Sequence, residues 1–173
     1  MYLKLIGSVF LVLSSTVIGF IKAEELKIRV KKLQELKQMM SFLQGELRFH
    51  RAELSEAFAS VSEKTEEPFQ KFLKKISVEL EDNQTESFEV LWENSVSLLI
   101  LEEGFLKKDQ ELLRILGNGL GYLDLSMQTE LLNQAIFRAE DEIREAKKQQ
   151  ENRERLYQTM GITAGIFLTL LIV

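Results

Sequence analysis

One histidine and no cysteine stand among the 173 residues, so the side chains that most often bind transition metals and attack electrophiles are nearly absent. Thiolate sites, disulfides and cysteine nucleophiles are excluded together. His50 stands alone, whereas a transition metal needs a second imidazole or a carboxylate cluster held by a fold. It falls in a row of apolar helix positions, which predicts a structural histidine. The other feature that could hold a ligand is the glycine run Gly117-x-Gly119-x-Gly121. No strand precedes it and its last spacing is wrong for a dinucleotide fingerprint, and no Gly-x-x-x-x-Gly-Lys-Ser/Thr occurs in the chain. The run reads instead as the end of a helix and a tight reversal, with its glycines free to take positive φ. No catalytic, cofactor-binding or metal-ligating residue is predicted.

The elements that position these residues are helical. Leu26, Leu33, Met40, Leu47 and Leu54 recur every seven residues, with Leu36, Leu43, His50 and Ala57 three further on. That heptad pattern lays one apolar seam along a long helix. Leu125, Leu132, Ala139 and Ala146 form a second row, with Thr129, Ile136, Ile143, Gln150 and Tyr157 beside it, which predicts a long return helix from about Asp124. Between the two arms the elements shorten. A segment Leu54 to Val61, a turn at Thr65-Glu66-Glu67, and a helix opened by Pro68 and carrying Phe69, Phe72, Leu73, Ile76 and Leu80 come first. A helix with Phe88, Leu91, Trp92 and Val96 follows, then one beginning at Lys107-Lys108 with Asp109 as its cap. No alternating strand pattern occurs. The fold class is all-α: an antiparallel helical bundle with long coiled arms.

Both chain ends are apolar. Leu5 to Ile21 is 17 residues without a charge and Leu156 to Val173 is 18. As a helix the second run is roughly 27 Å long, near the thickness of a hydrocarbon core. Two transmembrane helices, 1–21 and 156–173, are therefore expected on either side of a domain 22–155. A cleaved signal peptide is the weaker reading, because Gly19-Phe20-Ile21-Lys22-Ala23 lacks a small-x-small cleavage site. Lys22, Lys27, Arg29, Lys31 and Lys32 follow the first run, and Lys147, Lys148, Arg153 and Arg155 precede the second. The positive-inside rule then puts the middle in the cytoplasm and both termini outside, in a two-pass cell-membrane protein. Ser15 and Gly19 in the first run, and Gly161 and Gly165 in the second, are small-x-x-x-small pairs suited to close helix packing, within the chain or in a homo-oligomer.

The middle holds 21 Lys and Arg against 27 Asp and Glu, a formal charge of −6. Nucleic acid is a poor partner for such a domain. The basic clusters beside the apolar runs suit membrane lipid headgroups.

The opening Lys4-Leu5-Ile6-Gly7, Ile18-Gly19, Glu46 and Phe49 before Leu54, Trp92, Leu116-Gly117-x-x-Leu120-Gly121-x-x-Asp124-x-x-x-Gln128 and Tyr157-x-x-Met160-Gly161-x-x-x-Gly165 resemble the stage III sporulation protein AB family over the whole chain. Glu53 stands where that pattern suggests proline. The family is itself similar to the cytoplasmic domain of the type II secretion F protein. The resemblance implies a non-enzymatic membrane-anchored platform or adaptor between mother cell and forespore, with the middle domain on the mother-cell side. Its implied partners are the secretion-type ATPase of the stage III sporulation system and other stage III sporulation membrane proteins. The alternative is a membrane-anchored helical signalling or regulatory scaffold unrelated to secretion. Within the Leu-Gly motif, Gly117 and Gly121 are assigned to the reversal and Asp124 to the cap of the return helix. Gln128, off both apolar rows, is assigned to a partner surface.

Overall fold

The computed structural model describes residues 2–82 and 87–172, with the side chains at 2–6, 8, 9, 11, 118, 171 and 172 outside the description. Within those residues the chain is all-α. Helix α1 runs Tyr2–Gly45 and passes into a π-helical turn, Glu46–His50. Then come α2 (Leu54–Ser62), α3 (Phe69–Glu81), α4 (Phe88–Glu103), α5 (Lys107–Leu120) and α6 (Leu125–Ile172). The chain divides into two compact units, one of Met1–Lys31 with Arg144–Val173 and one of Lys32–Ile143.

In the larger unit the predicted rows become the core. Leu33, Leu36, Met40 and Leu43 of α1 are fully buried, as are Leu132 and Ala139 of α6. Lys37 Nζ meets Glu140 Oε1 at 2.6 Å, and Gln44 Nε2 donates to the Thr129 carbonyl at 3.2 Å. The partner number falls as the first rises, so the two helices run antiparallel. Phe58, Phe69, Leu73, Ile76, Trp92 and Leu113 fill the space beside them. Lys32 ties α1 to the α4–α5 turn, with Nζ 2.8 Å from Glu103 Oε2 and 5.5 Å from the centre of the Phe105 ring. Gly104 allows that turn with φ +66°, the left-handed conformation that ends α4.

Four expectations are corrected here. The α1 rows do not continue to Leu54 and Ala57, because the helix ends at the π turn and those residues start α2. His50 accordingly leaves the seam and is exposed. Helix α5 does end within the glycine run, at Leu120, but the glycines do not take positive φ there, and Gly121 caps the helix at φ −80°. Asp109 is not the cap of α5, since Leu106 occupies that position and Asp109 is buried within the first turn.

In the smaller unit the ends of α1 and α6 lie against each other, also antiparallel. Lys27 Nζ lies 3.0 Å from Glu154 Oε1, and Arg29 donates to Gln149 at 3.4 Å. The hydrogen bond to Lys27 holds the Glu154 carboxyl below its usual range, and Lys27 is raised in return. Among the described residues no helix is long and apolar enough to cross a membrane. The expected span 1–21 includes Met1 and the side chains of eight of the next ten positions, and the span 156–173 includes residue 173 and the side chains at 171 and 172, all of which lie outside the description.

Candidate functional site

The sharpest departure from regular helix lies between α1 and α2. Five residues form a π turn, a feature frequent at functional positions. Arg51 then takes φ 51° and ψ 34°, left-handed at a residue that is not glycine. The turn is made without a proline, and Glu53 is extended at φ −63° and ψ 156° before α2.

What holds this corner is Glu46, only 6% exposed. Lys64 Nζ donates to Oε1, Ser60 Oγ donates to the same oxygen at 2.8 Å, and His50 Nδ1 lies 2.7 Å from Oε2. The Lys64 hydrogen bond does most, followed by those of His50 and Ser60, to hold the Glu46 carboxyl at about 2 against the opposing effect of burial. A carboxylate pinned so low is a poor proton acceptor near neutral pH. Its role is to fasten the end of α1 to α2. A cleft of about 190 Å³ beside it is lined by Glu35, Gln38, Lys64, Thr65, Glu66 and Phe69. That volume falls below the roughly 300 Å³ at which small-molecule pockets begin. Among the described residues no three His, Cys, Asp or Glu side chains gather around a possible metal position.

Trp92 organises an aromatic cluster in the same unit. Its ring centre is 5.8 Å from Phe58, 5.7 Å from Phe88 and 5.3 Å from Phe72, the last edge-on at 77°. The indole N–H donates to the Leu113 carbonyl of α5 at 2.8 Å, so the one polar atom of the ring is satisfied. Gly117 leaves room for that indole: a Cβ built there would run into Trp92 Cδ1. At Gly121 a Cβ would fall 2.7 Å from Phe88 Cδ1, and at Gly119 one would fall 2.5 Å from Leu131 Cδ2. The three glycines therefore act as clearances for neighbouring side chains.

Asp124 caps α6, with Oδ1 accepting from the Met127 N–H at 2.9 Å and from Ser126 Oγ at 2.8 Å. The Met127 bond is the main reason its carboxyl is lowered. Gln128 has a structural duty that helical periodicity alone does not reveal. Its Nε2 donates to the Leu120 carbonyl at 2.5 Å, satisfying one of the free acceptors at the end of α5.

In the smaller unit, Ser15, Gly19, Gly161 and Gly165 meet one another. A Cβ at Gly19 would lie 2.6 Å from the Tyr157 carbonyl oxygen and 3.1 Å from Gly161 Cα. One at Gly161 would lie 2.8 Å from the Ser15 carbonyl oxygen, and one at Gly165 would strike Ser15 Oγ. Backbone meets backbone within one chain.

Sequence reasoning missed the clasp of Glu46, Ser60 and Lys64. Only the four-residue spacing of Glu46 and His50 signals a pair; Ser60 and Lys64 lie on another helix or just past it.

The profile of the stage III sporulation protein AB family matches residues 4–173. Stage III sporulation protein AB of Bacillus subtilis (strain 168) is 26% identical over 170 residues, spanning 98% of this chain and 99% of that protein. A solved structure of a stage III sporulation protein AB shares the fold with a TM-score of 0.65 at 21% identity, over 72% of this chain and 98% of that one. A helical chain matched from end to end in this way belongs to the stage III sporulation protein AB family.

Proposed function

We propose that the chain is a non-enzymatic, membrane-anchored adaptor of a stage III sporulation complex, linking a cytoplasmic ATPase of the system to its membrane components. The observation that carries this reading is the pairing of two uncharged apolar runs, Leu5–Ile21 and Leu156–Val173, at the far ends of the long helices α1 and α6. Segments 1–21 and 156–173 would cross the membrane, with residues 22–155 in the mother-cell cytoplasm and both termini outside. The flanking Lys and Arg set that orientation and meet anionic headgroups. The absence of cysteine, the single, exposed histidine and the low Glu46 carboxyl support a non-enzymatic reading. On this reading the domain acts by binding. A rigid helical body fixed at the membrane would position the ATPase, or carry its conformational change to other membrane components.

Two measurements test the reading in order. A cytoplasm-dependent reporter inserted after Gln84 of the full chain should be active, and activity only of an exported reporter there would reverse the topology. Affinity purification of the full chain from sporulating cells should then recover a secretion-type ATPase; repeated recovery of other stage III sporulation proteins without one would overturn the ATPase link.

A further inference from the structure

Helix α4 is apolar on two faces. Leu91, Trp92, Val96 and Leu99 on its inner face are buried in the core, which is all that a surface helix requires. Its outer face is apolar as well: Val90 and Leu98 are each 41% exposed and Leu101 is 82% exposed. Asn94 and Ser97 are exposed between them. Positions 90, 94, 97 and 101 are spaced four, three and four, with Leu98 beside them, so the five side chains share one stripe along the helix. None of the five carries a charge, and the helix contains no Lys or Arg. A helix apolar all round is a covered helix.

The carboxylates that border the stripe are met within the chain. Arg114 of α5 pairs with Glu93, and Lys71 Nζ of α3 lies 3.9 Å from Glu102 Oε2. The border therefore carries both signs. The stripe offers no cations to an anionic lipid surface or nucleic acid, and no one-sided charge to an oppositely charged protein. What it offers is the four-three spacing of a coiled-coil seam with one amide in it. An amide both donates and accepts, so at a seam position it is complementary to its own copy. We propose that the outer face of α4 pairs, in parallel, with the same face of a second copy of this chain.

In a parallel pair each seam residue faces its counterpart, Asn94 against Asn94 and Leu101 against Leu101. The flanking contact of Glu93 is then Leu98, so no carboxylate faces another across the seam. Anchoring gives the same direction. The last turn of α4 is held by Lys32, where the larger unit begins, and two chains entering one membrane present that end alike. Two heptads are short for a pair in free solution, and confinement to one membrane supplies the effective concentration. The inference rests on the membrane-anchored reading, and it adds the second copy, the face that meets it and the direction of pairing.

The test uses the absence of cysteine. Val90→Cys, Asn94→Cys and Leu101→Cys are made singly in the full chain, with Phe137→Cys as an exposed control on α6, and membranes from sporulating cells are treated with a short bifunctional maleimide. The expected result is a crosslinked dimer of this chain at each seam position, roughly tenfold above the Phe137→Cys yield. Adding Ser97→Lys should lower it roughly tenfold by placing two like charges in the seam, with helical circular dichroism unchanged. Crosslinks to a different protein, yields equal to that of Phe137→Cys, or indifference to Ser97→Lys overturn the proposal. A dimer formed only when Val90→Cys and Leu101→Cys chains are mixed shows antiparallel pairing and overturns it too. The membrane reading fails separately: chain recovered outside the membrane fraction removes the anchoring, and homotypic seam crosslinks formed there leave the face standing. Chain in the membrane fraction without seam crosslinks removes the face alone.

Discussion

Glycine does opposite work in the two units. In the smaller one, Gly19 and Gly161 let two helix backbones touch, with almost no side chain between them. In the larger one, Gly117 and Gly121 make room for the large rings of Trp92 and Phe88. The difference follows from where packing attraction comes from. In water, burying aromatic area is the dominant gain, so the larger unit devotes its glycines to seating rings. Where apolar surroundings make side-chain burial worth little, close backbone contact is what remains. That pattern is the one expected if the smaller unit lies partly in lipid.

The largest expected effect lies in the aromatic cluster. Trp92→Ala removes a ring that touches three phenylalanines and leaves the Leu113 carbonyl without its indole donor, and should cost about 3–5 kcal/mol. Chemical denaturation of the full chain measures it. A loss under about 1 kcal/mol would mean that the cluster does not organise this unit.

Gly161→Leu should act in the other unit, forcing apart backbones that a single Cβ would already crowd, at about 1–3 kcal/mol for overpacking. Because the chain has no cysteine, Lys27→Cys with Glu154→Cys provides a clean reporter. A short bifunctional thiol crosslinker should bridge that pair within one chain, and Gly161→Leu should lower the yield. Unaltered crosslinking would break the comparison drawn above, since the glycine contact would then not govern the helix spacing.

Glu46→Gln comes next, at about 1–3 kcal/mol, because it weakens charge-assisted hydrogen bonds around a buried group. The pH dependence has a definite sign. A carboxyl lowered to about 2 stabilises the fold fully above the unfolded value near 4.3, and that contribution is lost as pH falls through about 2. The wild-type chain should lose stability between about pH 5 and pH 2 by more than the Gln variant does. Parallel acid profiles would show that the clasp is not what the acid breaks.

The smallest pair sharpens the α5–α6 junction. Asp124→Ala and Gln128→Ala should each cost about 1 kcal/mol, the first by loss of a cap and the second by freeing the Leu120 carbonyl. Tyr122→Ser, exposed beside them, should leave the melting temperature within error. If Gln128→Ala were silent and Tyr122→Ser destabilising, the division between supporting and exposed residues at this turn would be reversed.

Much of this was legible from residue order. The heptad rows of α1 and α6, the helix after Pro68 and the cap at Asp124 depend on neighbours three or four positions away, and short-range periodicity reports those faithfully. Small residues four apart likewise marked the faces on which Ser15, Gly19, Gly161 and Gly165 meet. What stayed hidden depends on distant partners. No turn residue at 51–53 announces that α1 ends, because the break is held by Ser60 and Lys64 reaching Glu46 from beyond it. The run at Gly117 suggested positive φ, whereas Gly117 and Gly121 clear rings supplied by α4 and Gly119 clears Leu131 of α6, all without positive φ. Gln128 seemed free for the same reason, its acceptor lying eight residues back on another helix. Local spacing determined which elements form and which faces are apolar; only tertiary packing decided what each glycine, buried charge and amide is for, because those duties belong to pairs that the chain brings together after its helices exist.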